Sequence, residues 1–127
     1  MAPLLLSIVE IGGYPRFSSL YLQKGFEIEP VESMRKATKR LKKIQPAVIV
    51  AEFNFQSDFR DRISSLEMLI ATVQRIPGCK VIVFYEKEQR AQLQRVPEVF
   101  DTCAAISFPI DEQAISEVLY RALEQAA

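Results

Sequence analysis

The chain has 127 residues, 49% hydrophobic and 25% charged, the balance of a soluble globular domain with one core and not of a disordered segment. Sixteen Lys and Arg offset sixteen Asp and Glu, so the zero net charge gives no pull toward nucleic acid or another polyanion. There is no histidine, which removes every mechanism that needs a His base or a His metal ligand from this chain acting alone.

The first apolar run, Leu4–Val9, lacks a preceding basic region and is too short to span a bilayer, so it predicts a strand and neither a signal peptide nor a membrane segment. Glu10, Ile11 and the pair Gly12-Gly13 follow. These glycines fit neither GxGxxG nor GxxxxGK[ST], and Ser18-Ser19 do not complete a phosphate loop, so a turn into a short helix over Tyr14–Lys24 is expected. Phe26–Val31 predicts a second strand. Ser33 then offers an N-cap, and Met34, Ala37, Leu41 and Ile44 recur at helical steps until Pro46 ends the helix. Arg35, Lys36, Lys39, Arg40, Lys42 and Lys43 read as the solvated face of that helix.

Ala47–Phe53 and Lys80–Tyr85 are near-continuous in Val, Ile and Phe, as in strands covered on both faces. Between them Ile63, Leu66, Leu69, Ile70 and Val73 share a helical face that Pro77-Gly78 stops. Glu86–Phe100 predicts a further helix whose final turn Pro97 cuts. Ala104–Phe108 predicts the fifth strand, and the last helix starts after the cap Asp111 and buries Ile115, Val118, Leu119 and Leu123. Cys79 and Cys103 border apolar runs without metal-ligand or redox spacing, so buried reduced thiols are expected, which suits a cytoplasmic protein.

Strand and helix thus alternate five times, which calls for a parallel sheet with helices on both faces. For a single domain over residues 1–127 the economical α/β arrangement is a three-layer flavodoxin-like sandwich, strand order 2-1-3-4-5; other three-layer sandwiches meet the same pattern.

Gln45-Pro46-Ala47-Val48-Ile49-Val50-Ala51-Glu52 resembles the third strand of bacterial response-regulator receiver domains, which runs from a Pro-Asp-like start to a phosphorylated aspartate. Ile106-Ser107-Phe108-Pro109-Ile110-Asp111 resembles that family's Lys-Pro motif, Lys80–Tyr85 its fourth strand, and Lys24-Gly25-Phe26 the start of its second. The resemblance covers essentially the whole chain. It implies a site in which two acids and the acceptor aspartate hold magnesium, a lysine neutralises the phosphoryl oxygens, and a Ser or Thr senses the phosphate. Fixed positive charge is needed there because charge develops on the transferring group.

The sequence departs from that set at almost every position. Glu10 stands in the acid region, but Ile11 follows where a second acid belongs. The acceptor position is Glu52, whose extra methylene shifts the carboxylate by roughly 1.5 Å when reacting atoms must lie about 3–3.5 Å apart. Tyr85 takes the Ser/Thr position and Phe108 the lysine position, and loss of one transition-state donor typically costs about 3–4 kcal/mol. The reading is a degenerate pseudo-receiver without catalysis, cofactor or metal. It binds a protein partner or itself, as a homodimer, with no nucleic acid and no membrane.

Glu52 then either imitates a phosphorylated aspartate or is a polar strand end, solvated or hydrogen-bonded. Tyr85 and Phe108 either fill the vacated pocket, form an exposed patch, or pack in the core, and a cis bond is expected at Phe108-Pro109. Two interaction surfaces are implied: the loop bearing Phe53, Phe55 and Phe59, and the receiver surface of helix four, strand five and helix five with Arg90, Leu93, Gln94, Ile106, Glu117 and Tyr120. Two alternatives stand beside this reading. One is an atypical phosphoacceptor or metal- or ligand-binding protein using Glu10, Glu52 and Tyr85; the other is a scaffold without a switch.

Overall fold

The computed structural model describes residues 3–8, 17–52, 59–95 and 103–126. Its strands are β1 (Leu4–Ile8), β2 (Glu27–Val31), β3 (Val48–Glu52), β4 (Lys80–Tyr85) and β5 (Ala104–Ser107), each within one residue of the expected run at either end. They pair in the order β2-β1-β3-β4-β5, all parallel. This is the flavodoxin-like arrangement that alternation of strand and helix predicts.

Burial follows strand position. Central β3 has all five residues buried, because strands flank both its edges and helices cover both its faces. Edge strand β2 carries Glu27, Glu29 and Pro30, charge and proline being features that keep sheet edges from pairing further. On one face Leu5, Val48, Val50, Ile82 and Phe84 meet Phe17 and Tyr21 of helix α1 (Ser18–Gln23) and its approach, and Ile115, Leu119 and Ala122 of α5 (Glu112–Ala126). On the other, Leu6, Ile8, Ile49, Ala51, Val81, Val83 and Tyr85 meet α2 (Met34–Arg40), α3 (Phe59–Val73) and α4 (Arg90–Leu93). The period-two alternation of each strand therefore deals its side chains to two separate cores.

Local chemistry sets the helix ends. Ser33 Oγ accepts the Lys36 backbone N–H at 3.1 Å, the N-cap that the sequence predicts. Asp111 Oδ1 accepts the Gln113 backbone N–H at 3.0 Å, so Asp111 caps α5 as expected. At the end of α1, the Gly25 N–H donates to Leu22 O at 3.0 Å and the Phe26 N–H to Tyr21 O at 3.1 Å, a Schellman closure. It needs Gly25 at φ +93°, a conformation that side chains with a Cβ avoid. Phe26, just beyond, is buried and starts the chain toward β2.

Three expectations need correction. The second helix ends at Arg40 and not near Ile44, because residues 41–43 tighten into turns with Lys42 N–H on Lys39 O and Lys43 N–H on Arg40 O. The predicted helix over 86–100 is a 3-10 turn at Lys87–Gln89 followed by the short α4; residues 96–100 lie outside the described residues. Cys79 and Cys103 are thiols as expected but only half-buried. Burial, and secondly the nearby Cys103, still push the Cys79 thiol up to about 12, so it remains protonated and a poor nucleophile at neutral pH.

Candidate functional site

The strand order reverses between the parallel neighbours β1 and β3, and this opens a crevice at the carboxyl ends of the strands, where ligands of open α/β sheets bind. In this protein a cavity of about 440 Å³ lies there, on the α1 face. Ser7 and Ile8 line it from β1, Ile28, Pro30 and Val31 from β2, Val50 and Glu52 from β3, and Phe84 from β4. Phe17, Ser18 and Tyr21 close it from the α1 side, and Glu32 stands after β2.

Glu52 occupies this face because it is the last in the alternating series Val48, Val50, Glu52. It is the one polar or charged residue that is buried among the described residues, 5% exposed, and its Oε2 is closed to solvent. The solvated strand end that the sequence allows is thereby corrected. Tyr21 is also buried, and its hydroxyl is held well above the usual phenol range, first by burial and then by the negative charge of Glu52. Phe17 and Phe84 meet edge to face, centroids 5.9 Å apart and planes at 70°, and form the aromatic side of the same cavity.

Tyr85, Phe84's neighbour, turns to the opposite face. Its ring packs in the α2–α3–α4 core and its hydroxyl accepts a hydrogen bond from Arg90 Nη1 at 2.8 Å. Phe108 extends from β5, its N–H donating to Tyr85 O at 2.8 Å, and its peptide bond to Pro109 is cis as expected. Its side chain is 39% exposed.

Glu52, Tyr85 and Phe108 thus share one rim, since Glu52 is level with Phe84 and Tyr85 with Ser107. The rim does not bring them together as one site. Tyr85 and Phe108 do not jointly fill a pocket: Tyr85 is core and Phe108 is largely outside it. The proposed ligand set of Glu10, Glu52 and Tyr85 is likewise divided, because the sheet separates Tyr85 from Glu52, while Glu10 and Ile11 lie outside the described residues.

Among the expected interaction residues, Arg90, Gln94, Glu117 and Tyr120 are exposed, Tyr120 by 61%, and Ile106 is half-buried. Leu93 is fully buried and belongs to the α4 core contact, which corrects its assignment to the surface. Phe53 and Phe55 lie outside the described residues, as does the side chain of Phe59. Sequence reasoning missed Tyr21 as Glu52's neighbour, although its four-residue step from Phe17 marks a shared helix face. It also missed Arg90 as a cation held at the rim through Tyr85.

No family model matches the chain, and no curated protein matches it. Solved structures do. The chain is similar to chemotaxis protein CheY4 of Vibrio cholerae, with a TM-score of 0.68 and 14% identity over 96% of this chain and 99% of that one. It is similar to the receiver domain of NtrC4 from Aquifex aeolicus, with a TM-score of 0.69 and 16% identity over 100% of both chains. It is also similar to a sensor protein from Polaromonas sp. JS666, with a TM-score of 0.68 and 21% identity over 98% of both. The chain has the fold of response-regulator receiver domains.

Proposed function

We propose that this receiver-fold domain is a signalling module that does not accept a phosphoryl group and acts by binding protein, either a partner or a second copy of itself. The observation that carries the reading is the state of Glu52. An acceptor carboxylate must present an oxygen to a phosphodonor with in-line geometry, and Glu52 is 95% withdrawn from solvent, with Oε2 fully enclosed. Phe108 at the position the resemblance gives to lysine supplies no charge for a transferring phosphoryl group. Arg90, a cation among the described residues near this rim, donates to Tyr85 on the face of the sheet opposite Glu52.

The binding side of the proposal is supported by large side chains left in water beside β5. Tyr120 is 61% and Phe108 39% exposed, with Arg90, Gln94 and Glu117 exposed as well. Aromatic and Arg side chains are those most enriched in the centres of protein interfaces.

The test is a melting curve with magnesium and beryllofluoride, which together imitate a phosphorylated acceptor. An unchanged Tm is expected; a rise that disappears in Glu52→Gln contradicts the proposal. Sedimentation across a concentration series then reads self-association, which Tyr120→Lys is expected to weaken where the partner is a second copy.

A further inference from the structure

The charge of this chain is distributed unevenly. Six of its sixteen Lys and Arg fall within residues 35–43, a stretch without an acid, so the other ten face all sixteen Asp and Glu in the rest of the molecule. Lys36 pairs with Glu32 at 2.8 Å and Arg40 with Glu29 at 2.6 Å, which occupies two of the six locally. Lys39, Lys42 and Lys43 are exposed, and no described acid pairs with them. Lys42 and Lys43 follow α2 at the amino end of the sheet, on its β1–β2 side. Ile8 and Glu52, which border undescribed stretches, end their strands at the opposite end of the sheet, and Cys103, which borders another, leads into β5 at the far edge.

The most acidic of the described helices is α5. With its cap it carries Asp111, Glu112, Glu117 and Glu124 against Arg121 alone. Glu117, Tyr120 and Glu124 are exposed at steps of three and four, a stripe about 10 Å long on one side of the helix. Tyr120, 61% exposed, stands between the two carboxylates, and its ring face attracts ammonium groups. Since α2 and α5 cover opposite faces of the sheet, the two charged surfaces cannot meet within one molecule. They can meet between copies. Other polyanions fit α2 less well. Met34, Ala37 and Leu41 are buried, so the helix has no apolar face for a bilayer, and Glu29 and Glu32 beside it would repel a phosphate polymer.

We propose that copies of this chain associate head to tail, with Lys39, Lys42 and Lys43 of one copy docking on the Glu117–Tyr120–Glu124 stripe of the next. This rests on the protein-binding reading and deepens it, naming the partner as a second copy and the contact as one between two unlike surfaces. Because those surfaces lie on opposite faces of the sheet, one partner cannot occupy both, and the assembly passes beyond a dimer. Exposed charges are screened by salt, so the contact is weak and sensitive to ionic strength.

Sedimentation velocity of the full chain across a concentration series, in about 0.02 M and about 0.5 M salt, tests this. In low salt the average mass is expected to rise past that of a dimer, and high salt is expected to weaken the association about tenfold. The triple variant Lys39→Gln, Lys42→Gln, Lys43→Gln and the double variant Glu117→Gln, Glu124→Gln are each expected to be monomeric alone. Mixed in equal amounts, they are expected to form a one-to-one pair and stop there, because each brings the surface the other lacks. All five positions are exposed, so both variants are expected to keep the fold, which a melting curve checks. A chain that stays monomeric in low salt overturns the contact and leaves binding of a foreign protein standing. Self-association that ignores the lysines, or a variant mixture that stays monomeric, overturns the contact while a second copy remains the partner. Phosphorylation of Glu52 would overturn the earlier reading and leave these masses unchanged.

Discussion

The two faces of the sheet meet the same rim in opposite ways. On the α1–α5 face, β3 ends in a carboxylate sunk beside a cavity walled by Phe17, Phe84 and Tyr21. On the α2–α3–α4 face, β4 ends in a tyrosine whose ring joins a continuous core and whose hydroxyl is met by Arg90 at 2.8 Å. Phe84 and Tyr85 are adjacent in sequence, yet they serve these two environments because strand side chains alternate. A single step along β4 therefore separates a face with room for a ligand from a face filled by protein. The chemistry of a receiver rim cannot be read from which residues sit there without knowing which way each one points.

The largest expected effect comes from Phe84→Ala. It removes a fully buried ring that is also cavity wall, and should cost about 3–5 kcal/mol in urea unfolding. Leu93→Ala, its counterpart on the other face, should cost about 2–5 kcal/mol. The two losses should add in the double variant, and a clear departure from additivity would break the separation of the two faces.

Tyr85→Phe keeps the packed ring and removes the hydroxyl that accepts from Arg90, so unfolding should show a loss of about 0.5–1.5 kcal/mol. A larger loss would mean that this face depends on its polar contact more than on its packing.

Tyr21→Phe should be the mildest at neutral pH and show itself in alkali. The Tyr21 hydroxyl ionises less readily folded than unfolded, through burial and then the charge of Glu52. Below about pH 10 neither state has lost the proton; above it the unfolded chain ionises first and is favoured. Stability should therefore fall as pH rises past about 10, and Tyr21→Phe should flatten that fall in urea midpoints measured against pH. An unchanged slope would remove Tyr21 from the buried environment assigned to it.

Much of this fold is legible in the residues. The runs at Val48–Glu52 and Lys80–Tyr85 are too uniformly apolar for a half-exposed sheet, and their full burial follows from central position. Ser33 and Asp111 announce their helices because a cap needs only a side-chain oxygen at the right step. The site is less legible. The length of the third run puts Glu52 at the rim, but a carboxylate is ordinarily exposed, and only the packing of α1 reveals that this one is enclosed. Leu93 misleads for the opposite reason: its place on an outer surface rests on analogy of fold, whereas its contacts belong to the core. Tyr21 and Arg90 gain their roles from residues distant in sequence or across a turn, which periodicity alone does not pair.

The central claim is that Glu52 does not carry phosphate, and intact-mass measurement after incubation with acetyl phosphate and magnesium addresses it most directly. The account predicts one species at the unmodified mass throughout the time course. A phosphoryl increment that is lost on treatment with hydroxylamine, and absent from Glu52→Gln, would contradict it.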